Sequence, residues 1–445
     1  MSQAPPKRIP LTVVMSNRDS AADKDARIIN GFLEKGKDGD YHVYKRFGYT
    51  ESYVPAVGTG RGIFYWQGSI YAVVGGNLYK DTTSKGAVNA TGFYTFTSCL
   101  GSTPKLFLQN GVAGYYYDDT GGLVQVTDGD YPTTTVPGAA YLDGSIYVMT
   151  PQAYINNCGL EDPSAWDPLD SLLAQIEPDP GIALSKQMSY VIALKGWSTE
   201  VFYDAANPSG SPLGRVEGAK LNTGCRHART LQDLDGTLIW VSQTRSGAVA
   251  VTSLRGIKGT DISDPAICRI LEHADYTTVY SWTINISGHH FYVLTLVAQN
   301  LTLAYDLREG LWYRWTDTAG NYVPIVASAA TSSQRVLLQH ESTGQLFEAS
   351  DSVYTDNGAL FTWELYTPIW DAKTALNKTA NILEIVSDNV GAGIVQVRFS
   401  DDDYTNWSEY RDIDLNQYRS MSTEWGTFRR RAHHLRQRDD CPLRI

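Results

Sequence analysis

The stretch from Ser164 to Leu184, SAWDPLDSLLAQIEPDPGIAL, gathers Trp166, Asp167, Asp170, Glu177 and Asp179 among prolines, between two strand-like runs. Asp167 and Asp170 form a carboxylate pair of the kind that glycoside hydrolysis uses, and Asp118-Asp119 offers a second pair. Carboxylates so placed also occupy turns, where they accept backbone amide protons and do no chemistry. The sequence has no GxSxG elbow, no HExxH, no P-loop and no GxGxxG that follows a strand and opens a helix. The doublets His289-His290 and His433-His434 read as strand residues whose side chains point to opposite faces, which is no metal-ligand pattern. SDDDYTNWS, from Ser400 to Ser408, lacks the ligand spacing and glycine of a calcium loop and reads as an Asp-rich hairpin. No catalytic residue, cofactor or metal is expected.

The surrounding elements decide what the stretch does. The chain has 445 residues, with 28 Tyr, 39 Gly and only 19% charged residues, a composition of many short strands and tight turns. A strand phrase with a glycine turn recurs: IFYWQGSIYAVVGGNLY from Ile63, YLDGSIYVMT from Tyr141, LDGTLIWVSQT from Leu234 and ISGHHFYVLTLVAQNLTLAYDL from Ile286. Looser versions start at Lys105 and Tyr190. Their spacing of roughly 40 to 50 residues is that of propeller blades. A single meander cannot bury both faces, so the sheets must stack, and a closed ring leaves no exposed end face. The expected fold is all-β: a β-propeller of about six blades over residues 56–355, with a meandering β-sandwich as the alternative. YHVYKRFGYT at Tyr41 and RVLLQHESTGQLFEAS at Arg335 are expected to share the blade that closes the ring.

Residues 1–55 read as an N-terminal arm and first strands, and 356–445 as a separate small β-sandwich ending in an arginine-rich strand. Residues 429–445 hold six arginines against Asp439 and Asp440, a balance of +4; the chain as a whole carries −11, so the rest carries −15. An acidic body argues against general affinity for nucleic acid or anionic membrane. A basic strand upon it suits docking to an acidic protein or a nucleic-acid backbone through forked guanidinium contacts. The same charges would also serve to protect an exposed sheet edge. Cys99, Cys158, Cys225, Cys268 and Cys441 are widely spaced and odd in number, so reduced thiols are expected. The N-terminus has no signal-like apolar core, and no run approaches the roughly 18 apolar residues of a membrane span.

The passage from Asp162 to Gly247 resembles the tail hub or nozzle proteins of short-tailed bacteriophages, the packaged-DNA stabilisation family. The resemblance is carried by Trp166, Leu169, Asp170, Pro178, Asp179, Gly181 and Ile182, then by Thr199, Glu200, Val201, Phe202 and Tyr203. It continues through Arg215, Gly218, Ala219, Gly224 and Cys225 into LDGTLIW. IINGF around Asn30, KRFG at Lys45 to Gly48, the GRGIFYWQGSIYAVVGGNLYK blade and the ending FRRRAHHLRQRD are similar to other parts of the family, with Phe47 where proline is usual.

The resemblance implies a structural virion protein, not an enzyme, assembled in the host cytoplasm as a six-membered ring below portal and adaptor. Such a ring retains packaged DNA, passes it at ejection without sequence-specific binding, and anchors fibres, spikes or a needle. The Trp166 segment, Asp167 included, then reads as an inter-blade connection. Acidic loops are expected to line the channel, and Arg429, Arg430, Arg431, Arg436 and Arg438 to dock the adaptor or a neighbouring subunit. The alternative is a soluble propeller that binds or processes carbohydrate at a pocket on its axis.

Overall fold

The repeated phrases fold as hairpins whose two-residue turns are left-handed at both positions: Gln67 and Gly68 have φ of 48° and 82°, Asp143 and Gly144 of 45° and 94°, Asp235 and Gly236 of 51° and 72°. That combination is the type I′ turn, whose twist matches paired strands and which favours glycine at its second position. The computed structural model describes residues 7–11, 25–37, 39–388 and 393–445. They form two compact units: Glu51–Asn285 with Pro324–Glu348, and the two chain ends, to Thr50 and from Ala349, with Ile286–Val323.

The first unit is a six-bladed β-propeller. Four blades are four-stranded meanders spanning residues 60–87, 95–125, 140–173 and 181–215, and the fifth spans 224–261. The sixth combines Ile325–Ala330, Val336–His340 and Leu346–Ser350 with the early strand Gly48–Tyr53, so the closing strand comes from the end of the run at Tyr41, whose first part, Tyr41–Lys45, pairs instead with Gly31–Lys35. Apolar side chains of facing blades form the core. Tyr71 and Val73 of blade one meet Leu106 and Leu108 of blade two, and Ile192 and Leu194 of blade four meet Leu238 and Trp240 of blade five. Ile63 and Ala72 of blade one meet Leu337 and Leu346 of blade six. Between blades five and six runs the strand beginning at Val279, where Ser281 donates to the Arg229 carbonyl at 2.9 Å and the Thr283 amide to Ser328 at 3.1 Å. The helix Pro265–Glu272 follows blade five, with Asp264 capping the Ile267 amide and proline in its first turn.

In the second unit eight strands of one nine-stranded sheet run in the order His289–Leu296, Leu301–Asp306, Leu311–Trp315, Arg27–Ile29, Trp363–Tyr366, Ala432–Gln437, Ile394–Ser400 and Arg411–Asp414. The expected linear division therefore differs from the observed one. Residues 286–323, which carry one of the repeated phrases, group with the chain ends, and the C-terminal strands continue their sheet instead of standing apart as a sandwich. The strand Arg27–Ile29 makes the join, pairing on one edge with Arg314 and on the other with Glu364 to Tyr366.

Candidate functional site

Trp166 lies on the strand Asp162–Leu173, the outermost of blade three, and not in a loop. The strand's free edge tolerates Pro163 and Pro168, which have no amide to give a neighbour. The indole is buried against Tyr131 and Phe107, donates to the Pro163 carbonyl at 3.0 Å, and plugs the interface of blades two and three. Asp167 is exposed and accepts the Leu169 amide at 2.8 Å. Asp170 is half-buried, its pKa raised by burial and by Asp167. Leu169 and Pro178 face solvent. Two shallow depressions of about 420 and 460 Å³ on the described surface are lined by other residues, among them Lys105 with Glu161, and Tyr115 with Leu123.

The charged side chains of the stretch converge instead on Lys195, a residue that no sequence motif singled out. Lys195 Nζ lies 3.0 Å from Asp179 and 2.8 Å from Glu200, and all three side chains are wholly buried. It also donates to the carbonyls of Ala174 and Glu177, at 3.2 and 2.7 Å. Asp179 accepts the amides of Trp197 and Ser198 at 2.7 and 2.9 Å. Burial alone would raise the Asp179 carboxyl, but the Trp197 amide, Lys195 and Ser198 outweigh it and hold it below its ordinary value. Glu200 accepts the Ile176 amide at 2.9 Å and Arg215 Nε at 3.0 Å. Two carboxylates, one ammonium and one guanidinium sum to zero, the condition under which charges survive out of water. The cluster pins segment 174–180 to blade four. It leaves no free base or acid.

The remaining motif residues support the same corner. A Cβ at Gly224 would collide with the backbone of Lys195 and Trp197, so only glycine lets blade five approach. Gly218 is left-handed at φ 76°, Phe202 is buried between blades three and four, and Tyr203 is partly exposed. Cys225 is buried, and that burial pushes its thiol up to about 12, far from a nucleophile's range. In the other unit, Arg46 makes two bonds to Asp356, at 2.9 and 2.6 Å, and donates from Nε to Asn30 at 3.0 Å. Asn30 is left-handed at φ 56° and accepts the Thr316 amide. Phe47, the departure from the usual proline, packs its ring on Trp315 and Phe291.

Side chains from several blades meet around Arg229. The Arg229 guanidinium, entering blade five, lies 3.2 Å from the ring centroid of Phe93, between blades one and two, and 5.2 Å from that of Tyr280. Tyr280 donates to Glu341 of blade six at 2.8 Å. Burial lowers the Arg229 pKa to about 10.

Comparison with known families matches residues 41–316, more than half of the chain, to the family described as "Bacteriophage P22 Gp10, beta-propeller". The chain belongs to this family of phage structural proteins. No curated protein matches it in sequence. Among solved structures, it is similar to a streptogramin B lyase (10% identity, TM-score 0.41, covering 72% of this chain and 98% of that one). It is also similar to an inactive virginiamycin B lyase from Staphylococcus aureus with quinupristin (8%, 0.45, 68% and 99%) and to the computationally designed Ika8 protein (8%, 0.41, 68% and 99%). Likenesses this distant carry no functional argument.

The arginines at the end of this phage protein have unlike fates, and Arg431 corrects the docking expectation. Its side chain is 2% exposed, makes two bonds to Asp401 at 2.7 and 2.8 Å and one to the Trp425 carbonyl, and lies between the rings of Phe399 and Phe428. A guanidinium so enclosed holds its own unit together and has nothing left to offer a partner. Arg429 and Arg430 are exposed, the first bonded to Asn377 and the second paired with Asp403 at 2.7 Å. Arg436 stacks 3.6 Å from the Tyr410 centroid, half-buried, and Arg438 is exposed. Among the described residues no cluster of His, Cys, Asp or Glu could hold a metal, and no helix is long and apolar enough to cross a membrane.

Proposed function

We propose that this protein is the tail hub, or nozzle, of a short-tailed phage. In this reading several copies, six in the simplest form, ring the exit below portal and adaptor, retain the packaged genome, pass it at ejection and anchor fibres, spikes or a needle. The observation that carries the proposal is the family match over the propeller. The Arg229–Phe93 contact, which joins blade five to the segment between blades one and two, supports a conduit formed by several chains over one through a single propeller. The acidic balance of the body supports passage without adhesion, because a lumen of that sign repels phosphates. An axial carbohydrate pocket would have to displace Arg229, Tyr280 and Glu341, which are already paired with one another. Particles made without this chain test the proposal: DNA should be packaged and then lost, and particles that keep their DNA would overturn the retention role.

A further inference from the structure

The C-terminal sheet has one apolar face and one cationic face. Ile28, Leu365, Leu435 and Val397 stand opposite one another across four strands and are buried. One residue along, Arg27, Tyr366, His434 and Arg398 form the next row, and Glu364, Arg436, Gln396 and Asp412 a parallel one. Residues in register across antiparallel strands share a face. Arg27 lies 4.3 Å from the Tyr366 centroid, Arg398 4.5 Å and Arg436 3.6 Å from that of Tyr410. Stacking of this kind fixes each guanidinium plane. Arg398 Nε donates to His434 at 2.9 Å and Arg436 Nε to Gln396 at 2.7 Å, so the terminal N–H groups are what these two arginines can turn to a partner. Arg314 joins the face, and its Nε, like that of Arg27, is buried without a hydrogen-bond partner.

We infer that this face binds an acidic edge of a second copy of the same chain, the strand Asp162–Leu173 of blade three. That strand is last in its sheet and carries Asp162, Asp167 and Asp170 with Leu169 exposed among them, and Asp128 accepts the Trp166 amide at its side. Protein carboxylates suit the face better than a phosphate backbone does. Glu364 and Asp412 sit within it, and the chain carries −11 overall, so a long polyanion meets repulsion around a small cationic patch. Joining two different surfaces makes a heterologous contact, which passes from copy to copy and either closes into a ring or extends.

The inference rests on the ring proposed above, but its test reads association of the purified chain and so fails separately from the tail reading. Sedimentation at low salt is measured for the natural chain, for Arg398→Glu with Arg436→Glu, for Asp167→Arg with Asp170→Arg, and for an equimolar mixture of the two variants. The expected result is concentration-dependent association, weakened about tenfold or more by either variant and restored in the mixture. The acidic-edge variant alters exposed or half-exposed side chains, so it stays informative if the arginine variant fails to fold. A natural chain that stays monomeric at the highest concentration reached, unchanged association of the acidic-edge variant, or two folded variants that do not complement would each overturn the inference. Duplex DNA binding lost in the arginine variant, with self-association intact, would reassign the face to phosphate.

Discussion

Lys195 Nζ lies 2.8 Å from a Glu200 oxygen with neither side chain in contact with solvent, and Asp179 completes the cluster at 3.0 Å. Removing the ammonium leaves the buried Asp179 without a counter-charge and Glu200 with Arg215 alone. Lys195→Met is therefore expected to cost about 3–5 kcal/mol of unfolding free energy, read by urea denaturation at neutral pH. A loss under about 1 kcal/mol, the scale of an exposed pair, would mean that water reaches the cluster.

The same site predicts a sign for the pH dependence. Asp179 is held below its ordinary value in the folded chain, so its contribution is present above the unfolded pKa of about 3.9 and is lost as pH falls through the folded value. Asp179→Asn should be the less stable protein at neutral pH, and its stability should fall less steeply below about pH 4. Paired urea titrations of both proteins, from neutral to acid, check this; parallel acid limbs would contradict it.

Gly224 and Gly218 separate close approach from backbone conformation. Gly224→Ala drives a methyl into the Lys195 and Trp197 backbone and should cost more than about 2 kcal/mol. At Gly218 nothing lies near the added carbon, so Gly218→Ala should cost about 1 kcal/mol, from φ alone. Thermal unfolding of the two variants ranks them, and the reverse order would refute the assignment.

Arg430 and Arg431 are neighbours with opposite expectations. Arg431→Ala removes a buried guanidinium together with its bonds to the partly exposed Asp401 and the Trp425 carbonyl and its stacking on Phe399 and Phe428, and should destabilise by about 2–3 kcal/mol. Arg430→Ala removes one exposed ion pair and should cost less than about 1 kcal/mol. Chemical denaturation of each variant compares them.

What was legible in the sequence is what local backbone chemistry dictates. The turns at Gln67-Gly68, Asp143-Gly144 and Asp235-Gly236 could be read because left-handed pairs favour glycine, and their spacing gave the blades. Ring closure was legible only in part: of the run from Tyr41 to Thr50, its end lies in the strand Gly48–Tyr53 of the closing blade, while Tyr41–Lys45 pairs with Gly31–Lys35. The helix Pro265–Glu272 went unread although Asp264-Pro265 is a start signal. Lys195 and Arg431 could not be found this way. A lysine closing an apolar run, and one arginine among three, look the same whether they meet water or a buried carboxylate, and only the fold brings Asp179, Glu200 or Asp401 to them. The join made by Arg27–Ile29 was hidden because a three-residue strand leaves no periodic pattern.

The most direct test of the tail-hub reading is cryo-electron microscopy of the particle that carries this chain, with its position and rotational symmetry as the readout. The account predicts a ring of propellers at the tail exit around a conduit that lies between copies, with the Phe93–Arg229 contact intact in each. Particles whose tail lacks this chain, or a conduit that runs through the interior of a single propeller, would contradict it.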